Sequence, residues 1–564
     1  MKFPDRERSF GVQLSATTAA VWYNRPMIKA ALRSLWLSSI VIALLALSGC
    51  ARSVKTGPSP DNYLRLAMST EPTTFDPAMV EDGPTIDMLQ QIYEGLVQWT
   101  PQNTLAPALA TSWSVSKDGR TYTFHLRPGV KFQSGDPVTA QAVATSLSRS
   151  LARATGSPVG ITYLGDIVGA QTFNAGKAKT LSGVKVIDAL TIQIAIQQPK
   201  AYWLNVLTYP TAYVINPNAV AKDAQGRITD INTDGTGPFK LLSHQSGISV
   251  ELAANTSYWQ GPPAISGQHR LIVTDAQTRH SMYVDGDLDI VDETSGALAA
   301  DEATPVLESQ IKQFNRAATY YVSLNQNPKA GFAPFKDIRV RQAFAYATDK
   351  KRIVDIVFAG RRDIAQDILP EGIPGFDASF RALPYDPAKA RSLMAAAGYP
   401  GGQGFPPLPI AYRESNPDLG KTVDLLRQMY QENLGVTVMP QQTEWSALLS
   451  ADDNGVLPSV HMRWSADYLD PQDFYSLLYH TGSEENRLGY SNPMVDSLCD
   501  KADSEQDPTT RIALYRQVEE ILQTDFSRIP LYYQRDAELI KPYVGGLQDS
   551  LMGHLPYRTV VLKK

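Results

Sequence analysis

The apolar run from Leu35 to Leu47 constrains this chain most, because it decides in which compartment the rest must fold. It is too short to span a bilayer, which takes about 20 apolar residues. Lys29 and Arg33 precede it and small residues follow, which is the order of a secretory signal read from Met27. The 26 residues before Met27 lack that character, and Met27 is expected to be the true start. No other stretch is long and apolar enough to cross a membrane. An exported globular body of about 515 residues is therefore expected.

The signal ends in Leu47-Ser48-Gly49-Cys50, which resembles the bacterial lipobox. That resemblance implies cleavage of residues 1–49 and a lipid on Cys50, with 50–61 as anchor and tether. The Gly-, Pro- and Ser-rich ARSVKTGPSPD suits such a linker. The only other cysteine is Cys499, so a lipidated Cys50 leaves no intramolecular disulfide. In its helical context, MVDSLCDKA, Cys499 reads as a small buried apolar residue. Beyond residue 49 the chain has 46 Lys and Arg against 55 Asp and Glu, net −9. An acidic body argues against nucleic acid as a partner.

Periodicity gives a mixed architecture. YLRLAM alternates as a strand, and WSVSKDGRTYTFHLRPGVKF reads as two strands around Lys117-Asp118-Gly119. The spacing predicts helices over 87–99, 139–152 (with Thr139 as N-cap), 337–360, 386–397, 418–434 and 508–525. GTGPFKLLS and ISVELAANTSYW read as a strand pair, and further strands are expected at 408–412 and 436–440. Helices and strands in this mixture imply an α/β or α+β fold.

Catalytic and metal signatures are missing. No His-Glu-x-x-His, paired Cys-x-x-Cys, Walker loop or Gly-x-Ser-x-Gly occurs, and the seven histidines have no close pair at ligand spacing. Ser114-Val115-Ser116-Lys117 matches a serine-hydrolase motif but runs into a hairpin turn instead of opening a helix. Asp285-Gly286-Asp287-Leu288-Asp289 has the acidic spacing of a calcium loop, with Ile290 where that loop needs glycine. The glycines of GYPGGQG follow a helix and read as a helix stop. No enzyme activity, cofactor or metal is expected.

Several segments together resemble the bacterial extracellular solute-binding protein family 5. They are EPTTFDP (71–77), YEGL (93–96), LAPALATSWSVSKDGRTYTFHLRPGVKFQSGDPVTAQAV (105–143), GTGPFKL (235–241) and NTSYWQGPP (255–263). PFKDIRVRQAFAYATDKKRI (334–353), RWSADYLDP (463–471) and IPLYYQRDAELIKPYVGG (529–546) continue the series in order. The resemblance implies a two-lobed periplasmic-binding-protein fold of type II, hinged between its lobes. Lobe I would comprise 51–93, 215–316 and 529–564, with an extra domain at 94–214 packed on it and lobe II at 317–528. It also implies a monomer that binds a peptide, or another small solute, and delivers it to the permease and ATPase subunits of an ABC importer. Relatives of that family bind opines, nickel chelates, haem or oligosaccharides, and a signalling receptor or an exported hydrolase is the reading from another class.

Within RWSADYLDP the acidic Asp467 lies between Trp464 and Tyr468, where a carboxylate needs a cation or strong donors. On the residues alone, Arg463 or another basic side chain could supply that cation. The family resemblance implies instead that Asp467 takes a peptide's α-ammonium, with Trp464 stacking on a ligand side chain and Tyr93 near the ligand's N-terminal end. By the same positions Glu71 and Thr73 would line one side of the ligand and Arg463 and Ser465 the other. His461 and Arg463 are the candidates for the ligand's C-terminus.

Overall fold

The computed structural model describes residues 57–563, apart from 219–221, 224–226, 230–232, 382 and 415. The expected signal, Cys50 and the start of the tether lie outside the described residues. Strands are β1 (Tyr63–Met68), β2 (Ala110–Val115), β3 (Thr121–Leu126), β4 (Val184–Asp188), β5 (Thr191–Ala195), β6 (Phe239–Gln245), β7 (Ser249–Ala254) and β8 (Gly267–Ile272). They continue as β9 (Ile290–Asp292), β10 (Ile311–Ser323), β11 (Leu408–Arg413), β12 (Val438–Thr443), β13 (Val460–Ser465) and β14 (Arg528–Ile540). The helices that matter below are α1 (Ala140–Leu151), α2 (Gly160–Leu164), α3 (Ala276–Val284), α4 (Ser295–Glu302), α5 (Ile338–Ala347), α6 (Lys350–Phe358), α7 (Pro417–Leu434) and α8 (Pro508–Asp525). Among the described residues no helix is long and apolar enough to cross a membrane.

Three sheets carry the body. The first has the order β1-β8-β7-β6, with β1 and β8 parallel and the rest antiparallel. Its alternation is the one the sequence shows: Leu64, Leu66 and Met68 are buried and their neighbours less so. The second sheet, β2-β3-β5-β4, is antiparallel throughout. Tyr122, Phe124 and Leu126 of β3 share one core with Val143, Leu147 and Leu151 of α1, and that core is built from buried residues between Leu96 and Val214. Thr139 caps α1 by accepting from Ala142 N–H.

The third sheet has six strands in the order β9-β14-β10-β13-β11-β12. Successive residues of β10 face opposite ways. Tyr321 packs with Phe474 and Tyr515 on one side, and Val322 packs with Phe344 and Leu426 on the other. The sheet is thus buried on both faces. Its two longest strands, β10 and β14, have 13 residues each and pair antiparallel along their length. The expected lobe boundaries at 316/317 and 528/529 both fall in this pair.

Two helical expectations need correction. Residues 87–99 are not one helix: a helix spans Gly83–Leu89, capped by Asp82, and Val97–Trp99 pairs with Leu105–Pro107. Gly95 lies where a Cβ would come 2.9 Å from the carbonyl oxygen of Leu207, so the chain turns tightly against its neighbour there. Residues 337–360 form two helices, because Asp349 accepts from Arg352 N–H and starts α6 afresh after α5. The strand expected at 436–440 begins at Val438. Cys499 is buried, and burial pushes its thiol up.

The register of β10 against β14 shifts between Asn315 and Thr319. Arg316 fills that break. Its Nε donates to Asp536 (2.6 Å), and its Nη1 donates to Asp549 (2.8 Å) and to the carbonyl of Ser550 (3.0 Å). Removing one member of a buried charged group costs about 3–5 kcal/mol, because the others stay buried and unpaired. Arg316→Ala is expected to lower the unfolding free energy measured by urea titration by that order, with a lower midpoint, and Arg316→Lys by less. An unchanged midpoint for both would show that the break holds without the guanidinium.

Candidate functional site

Strand β13 lies inside the six-stranded sheet, antiparallel to β10 and parallel to β11. Its register sets Arg463 opposite Tyr320, Trp464 opposite Thr319 and Ser465 opposite Ala318. Ala466 N–H then donates to the carbonyl of Ala317 (2.7 Å), which brings the chain to Asp467. Asp473 fixes the turn: one of its oxygens accepts from Asp467 N–H (3.0 Å) and from the Trp464 indole (3.2 Å).

The Asp467 carboxylate accepts the hydroxyl of Tyr163, on α2. Tyr163 is itself held by stacking on Tyr209, with ring centres 3.8 Å apart. No cation stands within ion-pair distance of Asp467 among the described residues. The guanidinium that acts on it through space, Arg487, is committed to Asp453 (2.7 Å), Glu485 (2.9 Å), Asp452 (3.4 Å) and Glu81 (3.6 Å). Arg463, the internal partner weighed from sequence, donates to Gln534 (2.6 Å) instead. Burial therefore dominates at Asp467. Together with Glu485 it pushes the carboxyl up to about 7, although the Tyr163 hydroxyl and Arg487 pull the other way. Glu81 is pushed up to about 8 by burial and by Asp453. This end of the cleft is short of positive charge.

At the other end two guanidiniums lie close enough to repel each other. Arg413, at the end of β11, lies 5.1 Å over the Trp445 ring, and burial beside Arg463 depresses its guanidinium to about 10. Arg463 reaches toward the helix that Asp82 caps, since a Cβ on Gly83 would sit 3.6 Å from Arg463 Nη2. Three residues lie between Arg463 and Asp467, so their Cα atoms, four steps apart, are no more than about 14 Å from each other. Beside the acidic end is a cavity of about 350 Å³, lined in part by Thr73, Met79, Glu81, Ile228 and Leu449.

The expected site residues fall in different places. Asp467, Trp464, Ser465 and Arg463 lie on one edge. Thr73 faces them through Asp82, to which its hydroxyl donates (2.6 Å). The Glu71 side chain turns to His244 (2.6 Å) and to Gly247 N–H (2.8 Å). Tyr93 is buried in the core of the first sheet and donates to the carbonyl of Phe75 (3.2 Å). The tyrosine that reaches Asp467 is Tyr163. His461 is also buried, beside Tyr320 and Tyr532, and burial depresses its imidazole to about 3, so it stays neutral. Sequence reasoning missed Tyr163, Arg413 and Arg487. Arg413 was the most accessible of them, as a lone cation ending an apolar strand.

Contacts also tie α4 and Glu81 to segments that follow β10. Ser295 N–H donates to Asp418 (2.9 Å), Glu302 pairs with Arg361 (2.5 Å) and Glu81 approaches Arg487.

A charged residue buried this way costs stability, with a definite sign. Asp467 holds its proton up to about 7 in the folded chain, against an ordinary value of 3.8. Ligand-free stability therefore falls as pH rises between those values, and the deficit persists above them. Asp467→Asn cannot ionise. It is expected to raise the melting temperature relative to the parent at pH 8 and to match it at pH 4. Equal differences at both pH values would mean that Asp467 is solvated.

The family description "Bacterial extracellular solute-binding proteins, family 5 Middle" matches residues 104–486. The dipeptide-binding protein DppE of Bacillus subtilis (strain 168) is 28% identical, with 93% of this chain and 98% of that protein covered. Heme-binding protein A of Haemophilus influenzae (strain ATCC 51907 / DSM 11121 / KW20 / Rd) is 29% identical, with 92% and 97% covered. Among solved structures, the Escherichia coli murein tripeptide binding protein MppA superposes with a TM-score of 0.81 at 26% identity, over 90% of this chain and 100% of that one. The unliganded open form of MppA, over 90% and 98% of the two chains, gives 0.64 at 26% identity. The present arrangement departs from the open one, in keeping with the contacts across the cleft.

Proposed function

The chain belongs to the bacterial extracellular solute-binding proteins, family 5, and on that footing we propose that it captures a peptide between its lobes for an ABC importer. The observation that carries this reading is the half-buried Asp467 carboxylate, which has a tyrosine donor and no cation of its own. A peptide's α-ammonium supplies the missing charge. Arg463 and Arg413 suit the carboxylate at the far end, and the side of β13 beyond His461, where its pairing with β11 ends, can take an extended ligand by strand addition.

The chemistry explains tolerance of sequence. Main-chain bonds and terminal charges are common to all peptides, while side chains can occupy roomy space such as the cavity beside Glu81, where bridging waters adapt. The relatives named for dipeptides and for a murein tripeptide support a peptide ligand. The permease and ATPase partners, a lipid on Cys50 and the split into lobe I, extra domain and lobe II belong to the same proposal. The long β10–β14 pair would serve as the hinge. A second reading is a non-peptide solute in the same cleft, favoured by the relative named for haem. The acidic end weighs against it, because it calls for an amine.

Native mass spectrometry on the freshly purified chain from Ala51 onward separates the two. Co-purified masses that fragment into peptides support the proposal, and a single non-peptide mass overturns it. A charge-assisted contact contributes about 1.5–3 kcal/mol, and removing one partner of a buried pair costs about 3–5 kcal/mol. Asp467→Asn is thus expected to weaken free-amine peptides by about two to four decades and N-acetylated peptides far less. Equal losses measured by calorimetry for both ligand types would remove Asp467 from this role.

A further inference from the structure

Apart from the two charged ends of the cleft, three metal-ligating side chains converge where α3, β9 and α4 meet. His280 comes from α3, Glu293 directly follows β9, and Asp301 lies in the last turn of α4. One ligand atom from each lies within 4.8 Å of the others. His280 Nε2 is 3.1 and 3.0 Å from the two oxygens of Asp301, which is fully buried.

Glu293 is the anomaly. Both of its carboxylate oxygens are shut off from solvent and meet no N–H or hydroxyl donor; their neighbour is the Asp301 carboxyl, and burial beside that second carboxyl pushes Glu293 up to about 9. Its backbone is pinned, since Glu293 N–H donates to the carbonyl of Ala537 (2.8 Å), and the next residue, Thr294, caps α4. The nearby cation, Arg279, spends its Nη1 on the carbonyls of Val273 (2.7 Å) and Thr274 (2.8 Å) and forms no ion pair with Glu293. A sealed carboxylate facing a second carboxylate and an imidazole is unfavourable unless something positive joins them.

We propose that His280, Glu293 and Asp301 form a binding site for a divalent transition-metal cation of the zinc(II) class. One imidazole nitrogen and two carboxylate oxygens suit zinc, cobalt or nickel, whereas calcium takes six to eight oxygens. Zinc bonds of about 2.0–2.1 Å place tetrahedral ligands about 3.3 Å apart, close to the His280–Asp301 spacing found here. Three protein ligands leave a fourth position for water. The cation would tie α4 to α3 and to the strand end behind them. Because α4 also supplies Ser295 to Asp418 and Glu302 to Arg361, the site stiffens the face on which the cleft closes.

The test is titration of the chelator-treated chain from Ala51 onward with zinc chloride by calorimetry, and with cobalt chloride by visible absorption. Wild type is expected to take up one equivalent of zinc and to give a ligand-field band with cobalt. Glu293→Gln and His280→Ala should each weaken zinc by about tenfold or more and abolish the cobalt band. Glu293→Gln keeps the side-chain shape and relieves the contact between carboxylates, so its metal-free melting temperature should equal or exceed that of wild type. That result separates lost ligation from misfolding. Absence of stoichiometric uptake, or uptake unchanged in both variants, overturns the proposal and leaves a protonated Glu293 beside a His280–Asp301 ion pair.

Discussion

The antiparallel ladder between β10 and β14 is the constraint on which the rest of this molecule depends. It sits near the middle of the six-stranded sheet, and the cleft segments that this sheet carries are placed by it. β13 pairs with β10 from His461 to Ser465 and so sets which residues stand at the rim. β9 pairs with the far end of β14 and so places Glu293 and α4. A regular ladder of 13 residues would be stiff. The register shift at Asn315–Thr319 breaks it at one place, and Arg316 reconnects that place with directional, charged bonds to Asp536 and Asp549. Side-chain bonds can reorient where ladder bonds cannot, so a strand pair of this kind can bend without separating.

The cleft separates charge instead of neutralising it. Arg487 is surrounded by Glu81, Asp452, Asp453 and Glu485, and Asp467 shares the shortage of positive charge there. Arg413 and Arg463 repel each other at the opposite end. Each arrangement costs stability in the empty protein, and under the proposed function each would be relieved by a ligand with an amine at one end and an acid at the other. Tyr163 makes the acidic end tolerable without cancelling it, because a hydroxyl supplies a hydrogen bond but no charge. That distinction matters. A lysine at the same place would satisfy Asp467 and leave nothing for a ligand to do.

Local chemistry was legible where its cause is local. Thr139 starts α1, the Lys117-Asp118-Gly119 turn joins β2 and β3, and the alternation of YLRLAM is the burial pattern of β1. Two helices failed for equally local reasons that compete with periodicity. Asp349 restarts the chain as a cap inside an apparently continuous run, and Val97–Trp99 is drawn into a strand pair that helical spacing does not register. Tyr93 was expected at the ligand from the family resemblance, and its hydroxyl is spent inside the core on Phe75.

The sequence by itself determined the mixed α/β architecture, most element positions, the acidic balance of the body and the placing of Asp467 among aromatic residues. These follow from period, capping and composition, which act over a few residues. Only the tertiary structure decided that Arg463 turns away from Asp467, that Tyr163 arrives from 304 residues away, and that Glu293 is sealed beside Asp301 and His280. The physical reason is that desolvation and charge act through space. The state of a carboxylate depends on what removes its water and what charge stands nearby, and chain neighbours supply only part of either.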